Sequence, residues 1–259
     1  MDKKTVEILR KLNNEFYRDH HASFSATRRQ PWPGWAICLE TLGEALLDDL
    51  HGKSLSVFDL ACGNLRFEEF LTLTLPDTPI TFYAVDNCDT MVPQMPNMEY
   101  QSLDVLDILQ QGLHINDQLT APACDLSVMF GFMHHVPSFK YRRQVLLSLI
   151  EQTRAGGYAI VSFWQFMNNE VLRAKALETH RRALKDLAPE GLVPRDLDEH
   201  DYLLSWENIP GVYRYCHNFS HTEIDRLVLD VADKACVVSR FVADGRSADL
   251  NTYLILKAF

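Results

Sequence analysis

No stretch of the chain is apolar for long enough to cross a membrane. The N-terminus, Met1-Asp2-Lys3-Lys4-Thr5, lacks the apolar core of a secretion signal, so the expectation is a cytoplasmic protein with no membrane partner. Closely spaced cysteine pairs are missing too: the six cysteines, at 38, 62, 88, 124, 216 and 236, are scattered. That argues against a zinc site or a disulfide framework and for reduced thiols, and no metal ligand set is expected. Cations are scarce, with 25 Lys and Arg against 35 Asp and Glu and a net charge of −10. A broad electrostatic grip on nucleic acid is disfavoured, because phosphate neutralisation dominates such affinity, although a local basic face is not forbidden. The chain shows no internal repeat and no low-complexity tract. Its 259 residues, 47% hydrophobic, suit one domain, residues 1–259, with room for an inserted lobe.

What is present centres on Val57-Phe58-Asp59-Leu60-Ala61-Cys62-Gly63-Asn64-Leu65-Arg66. An apolar run ends in an acid, then a short turn, then a helical pattern from Arg66. A strand feeding a glycine turn and a helix is the nucleotide-binding corner of a doubly wound sheet. A second apolar run, Ile80 to Val85, ends in Asp86, 23 residues beyond Gly63. Such folds place an acid against ribose hydroxyls at about 20 residues from the turn. With a single glycine the turn is a poor seat for a pyrophosphate, which needs close backbone approach at several points. S-adenosylmethionine has a ribose and an adenine but no phosphate, so the corner points to a methyltransferase using that cofactor. Candidate cofactor residues lie at the strand ends. Asp59, Ala61, Gly63 and Asn64 form the turn; Asp86, with Asn87, faces the ribose; Asp104, with Val105, lies near the adenine amino group; and Phe130 precedes Gly131. For each acid the alternative is a solvated loop residue or a helix cap.

Around this corner the pattern alternates. Residues 4–20 read as an amphipathic helix, 23–35 as a loop and 36–50 as helix; residues 1–50 form an N-terminal helical unit. Strands are expected at 55–60, 80–85, 98–102, 124–130 and 157–163, and helices near 66–73, 89–93, 105–111 and 140–152. Residues 165–205 break the rhythm, helical first and acidic later, and read as a lid or cap inserted after strand five. A helix near 221–232 precedes two β-rich runs, 235–242 and 250–256, joined by the short turn Asp244-Gly245-Arg246-Ser247. The fold class is α/β: a doubly wound, Rossmann-like, mostly parallel seven-stranded sheet, with a C-terminal antiparallel hairpin and a helical insert after strand five.

Class I methyltransferases usually carry Asp-Leu-Gly-Cys-Gly-Asn-Gly in the turn, whereas Ala61 and Leu65 stand here in place of the outer glycines. Leucine does not readily take φ > 0, so the turn is expected to differ slightly at Leu65. Four further segments are distinctive: Phe24-Ser25-Ala26-Thr27-Arg28-Arg29-Gln30-Pro31-Trp32-Pro33, Met133-His134-His135-Val136-Pro137, Phe163-Trp164 and Tyr213-Arg214-Tyr215-Cys216-His217. In this order they resemble the tRNA wobble-uridine carboxymethyl methyltransferases, over about residues 10–256 without the insert. Cys216 stands where that family has a second tyrosine.

The resemblance implies 5-carboxymethyluridine at a tRNA wobble position as acceptor and its methyl ester as product. It also implies, from eukaryotic members, a small zinc-binding activator protein that covers an apolar sheet edge. A carboxylate is ionised at pH 7, so this nucleophile needs alignment rather than a general base. Arg28 and Arg214 suit a carboxylate or phosphate clamp, and His135, Trp164, Tyr215 and His217 suit stacking on or bonding to a base. Arg28 has the alternative of holding the cofactor's methionine carboxylate. His217 has that of a structural histidine, and Pro31-Trp32-Pro33 that of a packing anchor. His134 and His135 are expected to point in different directions, with at most one facing the substrate. The basic clusters Arg28-Arg29, Arg142-Arg143 and Arg181-Arg182 with Lys185 are either local patches or solvated helix faces. The competing functions are a methyltransferase for a small molecule, favoured by the acidic surface, and a non-catalytic cofactor-binding subunit.

Overall fold

The computed structural model describes residues 1–28, 30–47, 50, 54–207 and 209–259. Five strands alternate with helices: β1 (Leu55–Leu60), α3 (Arg66–Thr74), β2 (Ile80–Asp86), β3 (Met98–Ser102), α4 (Val105–Gln111), β4 (Cys124–Met129), α5 (Phe139–Glu151) and β5 (Thr153–Trp164). Two helices precede them, α1 (Lys3–Ala26) and α2 (Pro33–Leu42). After β5 come α6 (Glu170–Asp186), β6 (Asp201–Ser205), β7 (Tyr213–His217), α7 (His221–Leu229), β8 (Ala235–Ala243) and β9 (Asn251–Ala258). The main sheet has the order β3-β2-β1-β4-β5-β9-β8. Pairing is parallel from β3 to β5 and antiparallel at β5–β9 and β8–β9.

Strand β1 shows why the apolar run becomes a strand buried on both sides. Leu55 and Val57 pack into the cluster under α2 and α3, whereas Phe58 and Leu60 enter the opposite cluster with α4 and α5. Successive side chains of a strand point to opposite faces, so such a run needs both faces covered. The chain reverses its direction of build between β1 and β4, and ligands of open α/β sheets bind beyond the strand ends at that point.

Local corrections to the sequence reading have local causes. Residues 23–26, expected as loop, extend α1 to Ala26. Pro33 opens α2, earlier than expected, at a position where its missing N–H costs nothing. Helix α2 stops at Leu42, followed by a 3₁₀ turn at Gly43–Leu46; residues 48 and 49, part of the expected helix, lie outside the described residues. The 89–93 segment is a single 3₁₀ turn at Asp89–Met91. The acidic half of the 165–205 segment ends in β6, which pairs antiparallel with β7 in a separate two-stranded sheet.

Candidate active site

The β1–α3 turn is bent by three residues with positive φ: Ala61 at 66°, Gly63 at 56° and Leu65 at 58°. The expectation that Leu65 would avoid this region is overturned. A left-handed leucine costs roughly 1–2 kcal/mol, but Leu65 is buried against Cys62 and Ala84, and burying a leucine side chain returns about 1.5–3 kcal/mol. Ala61 buries little and carries a similar strain. Ala61→Gly is therefore expected to raise the unfolding free energy by up to about 1 kcal/mol, read by urea denaturation, with unchanged affinity for S-adenosylhomocysteine.

Asp86 closes this turn. Its Oδ2 accepts the Gly63 amide and its Oδ1 the Cys88 amide, both at 2.9 Å. Each oxygen keeps a second lone pair, so the carboxylate can still accept two ribose hydroxyls. Burial pushes it above the usual carboxylate range, against the pull of these amides. Asp104 is different. Oδ1 caps α4 by accepting Leu106 N and Asp107 N at 3.0 Å, and Oδ2 accepts Arg10 Nη1 at 2.9 Å and Asn14 Nδ2 at 2.8 Å. Its acceptor capacity is used within the chain, so the expected bond to the adenine amino group is not available, although Asp104 and Val105 line the cavity. Asn87 donates to Asn14 Oδ1 at 2.9 Å, so α1 holds both strand ends.

Asp59 and Glu68 form a buried acidic pair that the sequence reading did not see. Among the described residues, Asp59 Oδ1 and both Glu68 oxygens meet no N–H or hydroxyl donor, which leaves the two carboxyls to hydrogen-bond to each other through a retained proton. Burial, and then the charge of Glu68, raise Asp59 well above the carboxylate range, and burial raises Glu68 to about 7. The pair retains a proton near neutrality. Because the folded pKa lies above the unfolded one, the stabilising contribution is complete below the unfolded value and is lost as pH rises through about 7. Raising Glu68 from 4.5 to about 7 corresponds to roughly 3 kcal/mol at about 1.4 kcal/mol per unit. Glu68→Gln should thus gain stability relative to wild type between pH 5 and pH 8. An identical difference at both pH values, by chemical denaturation, would rule out the shared proton.

A cavity of about 490 Å³ opens above these strand ends, within the range of roughly 300–1,000 Å³ typical of ligand pockets. Of the sequence-derived candidates it is lined by Arg28, Asp59, Ala61, Gly63, Asn64, Asp86, Asn87, Asp104, Val105, Phe130, His135, Trp164 and Arg214. Tyr215 and His217 are not brought there. Along β7 alternate residues face opposite sides: Arg214 reaches the cavity, whereas Tyr215 packs against Leu9 and Leu203. The Tyr215 hydroxyl donates to Asp201 Oδ1 at 2.7 Å, and His217 is held between Asp201 and Glu223, 2.7 Å from each. Both side chains are thus hydrogen-bonded within the chain and away from the cavity, the environment of a structural histidine in the case of His217.

One end of the cavity is built on Arg214. Its side chain is 6% exposed and forms no ion pair among the described residues. Its Nε has no partner. Four rings surround it, with the guanidinium carbon 5.4 Å from the Phe16 centroid, 5.8 Å from Phe24, 5.7 Å from Trp164 and 5.5 Å from Trp206. Arg28 lies over Phe24 at 3.8 Å and donates to Thr27 Oγ1. Burial, then repulsion from Arg214, lowers it to about 10. Cation–π contacts support both guanidiniums; Arg28 spends one donor on Thr27 and Arg214 one on the Tyr17 hydroxyl oxygen, which leaves the remaining N–H groups of the two forks for a ligand.

The two histidines come together rather than apart, with centroids 4.1 Å apart, and both line the cavity. The Tyr215 carbonyl, 2.8 Å from His135 Nδ1, can only accept, so Nδ1 carries the proton. Nε2 then accepts from the Tyr17 hydroxyl at 2.7 Å. Burial lowers His135 to about 3, so it is neutral and fully engaged. The buried Nδ1 of His134 has no hydrogen-bond partner among the described residues; burial keeps this ring neutral as well. His134, His135 and Cys216 place ligand atoms within 4.8 Å of one another, but they do not fit a metal. Burial raises the Cys216 thiol to about 11, His135 Nδ1 is already donating, and the Arg214 charge stands beside them.

Sequence reasoning missed Tyr17, Asn14 and Trp206. Tyr17 and Asn14 belong to α1 and Trp206 directly follows β6, so no local motif marks them. The Pro31-Trp32-Pro33 segment does act as an anchor: Gly34 N donates to Asp244 Oδ1 at 3.0 Å, where a side chain on Gly34 would strike the Tyr253 ring. It also brings Trp32 to the cavity wall.

No protein-family model matches the chain, and no curated protein matches it. Solved structures do. A SAM-dependent methyltransferase from Methanosarcina mazei is 14% identical, with a TM-score of 0.55 over 89% of this chain and 98% of that one. The 1,6-didemethyltoxoflavin-N1-methyltransferase of Burkholderia thailandensis, with its substrate and S-adenosylhomocysteine bound, is 12% identical, with a TM-score of 0.54 over 95% and 86%. CalS10, an amino pentose methyltransferase from Micromonospora echinaspora with bound SAM, is 10% identical, with a TM-score of 0.52 over 92% and 96%. The chain has the Rossmann-like fold of class I SAM-dependent methyltransferases.

Proposed function

We propose that this chain is an S-adenosylmethionine-dependent methyltransferase that esterifies a carboxylate, and that the acceptor is 5-carboxymethyluridine at the wobble position of a tRNA. The observation that carries the carboxylate is Arg214: buried, facing the cavity and without an ion-pair partner among the described residues. A desolvated guanidinium gains most from a bidentate anion. The cofactor fits the corner, since Asp86 keeps acceptor capacity toward it and Gly63 leaves the wall open. When bound it supplies a sulfonium-linked methyl group. Arg214 orients the acceptor carboxylate, whose oxygen takes the methyl without any proton transfer. Trp164, His134 and the other rings exclude water and offer stacking faces for a base. Arg28 then has the methionine carboxylate as its partner. An activator protein of the kind the resemblance implies would meet the exposed Val237, Val238 and Val242 on the edge strand β8.

The cavity volume and the net charge of −10 favour a second reading, a small carboxylate-bearing acceptor. Cofactor with a labelled methyl group, incubated with the protein and tRNA lacking wobble esters, separates the two. Label that enters tRNA and leaves as methanol in mild base supports the ester on RNA. Cofactor binding without label in RNA, with or without an added activator, overturns the RNA acceptor.

A further inference from the structure

We propose that the outer face of α6 is a contact surface for RNA, gripping backbone phosphates while the target nucleoside occupies the cavity. This rests on the acceptor being part of an RNA. The structure sorts the basic clusters of the sequence. Arg142 is buried and paired with Glu223 at 2.8 Å, and Arg143 pairs with Asp230 at 3.2 Å. Arg28 belongs to the cavity, and Arg29 lies outside the described residues.

Arg181, Arg182 and Lys185 remain. All three are exposed, none forms an ion pair among the described residues, and they line one surface groove. The neighbouring carboxylate of Asp186 accepts the Tyr213 hydroxyl, whose oxygen also accepts from Arg182, and its charge subtracts from the field of the three cations without cancelling it. Positions three and four apart share a helix face, so these cations reinforce one field in a chain of net charge −10. A polyanion complements that field, and the apolar side of the groove, Leu184, Ala188 and Pro194, can meet sugars. Glu178 at the groove opposes it. The inner side of α6 buries Ala176, Thr179 and Ala183 toward β6 and β7, and the Leu203 amide of β6 donates to His180 Nδ1 of α6 at 3.1 Å. Tyr213, bonded to α6, immediately precedes Arg214. The groove and Arg214 therefore sit on elements packed and hydrogen-bonded to one another.

Fluorescence anisotropy with a labelled tRNA anticodon stem–loop tests this at several salt concentrations, with calorimetric S-adenosylhomocysteine affinity as the control for folding. The triple variant Arg181→Glu, Arg182→Glu, Lys185→Glu is expected to weaken RNA binding at least tenfold. It should also flatten the salt dependence by about 2 in log–log slope, as for three phosphate contacts at roughly 0.7 each, with cofactor affinity unchanged. Wild-type RNA affinity and slope in this variant overturn the groove alone. No salt-dependent RNA binding by the wild-type protein overturns the RNA acceptor and the groove together. If the triple variant loses cofactor affinity, Glu178→Lys decides: tighter RNA binding supports the groove, and unchanged binding overturns it.

Discussion

Arg214→Met is expected to abolish most methyl transfer while leaving the protein folded and the cofactor bound. Removing one partner of a desolvated, hydrogen-bonded charge pair costs about 2–5 kcal/mol, a loss of roughly 30- to 5,000-fold in kcat/KM for the acceptor. Arg214→Lys should recover little, since an ammonium cannot reproduce the planar fork. Stability should move the other way or not at all. Without an acceptor, Arg214 is a buried charge held by aromatic faces and the Tyr17 hydroxyl, with no carboxylate partner among the described residues, and an apolar side chain of similar volume removes its desolvation cost. Activity, calorimetric S-adenosylhomocysteine affinity and a thermal melt on the same preparation read all three. A variant that melts well below wild type would make Arg214 a structural residue, and one that loses cofactor binding would move it to the cofactor.

Asp86→Ala should lower cofactor affinity at least 100-fold, because hydrogen bonds to a charged acceptor contribute about 1.5–3 kcal/mol each and both ribose hydroxyls lose theirs. It should also destabilise the apo protein. The Gly63 and Cys88 amides lose their acceptor, and each donor left buried costs about 1–3 kcal/mol. Asp86→Asn, which keeps one acceptor oxygen, should fall between the two on both scales. Unchanged calorimetric affinity for S-adenosylhomocysteine in Asp86→Ala would remove Asp86 from the cofactor site.

The difference in legibility follows sequence distance. Asp86 was readable because its strand, its turn and its spacing from Gly63 all lie in one β-α-β segment. Asp104 was readable as a strand-end acid but not as a spent one, since Arg10 and Asn14 approach from α1. Parity along β7 separates Arg214 from Tyr215 and His217, and it was available in the sequence once residues 213–217 are taken as a strand. Leu65 failed for a different reason: a torsional preference of about 1–2 kcal/mol was weighed without the burial that outweighs it.

The sequence by itself determined the alternating strands and helices, the corner at residues 59–66, the acid at 86 and the closing hairpin, because these rest on periodicity and turn chemistry within a few tens of residues. Tertiary structure alone decided which charges lack partners. Whether Arg214, Arg142 or Arg181 meets a carboxylate depends on elements tens to hundreds of residues away, and only folding brings Tyr17 to His135 and Trp206 to Arg214. The proposed function draws on those unpaired groups, since a group already satisfied by its own chain has little left to offer a ligand.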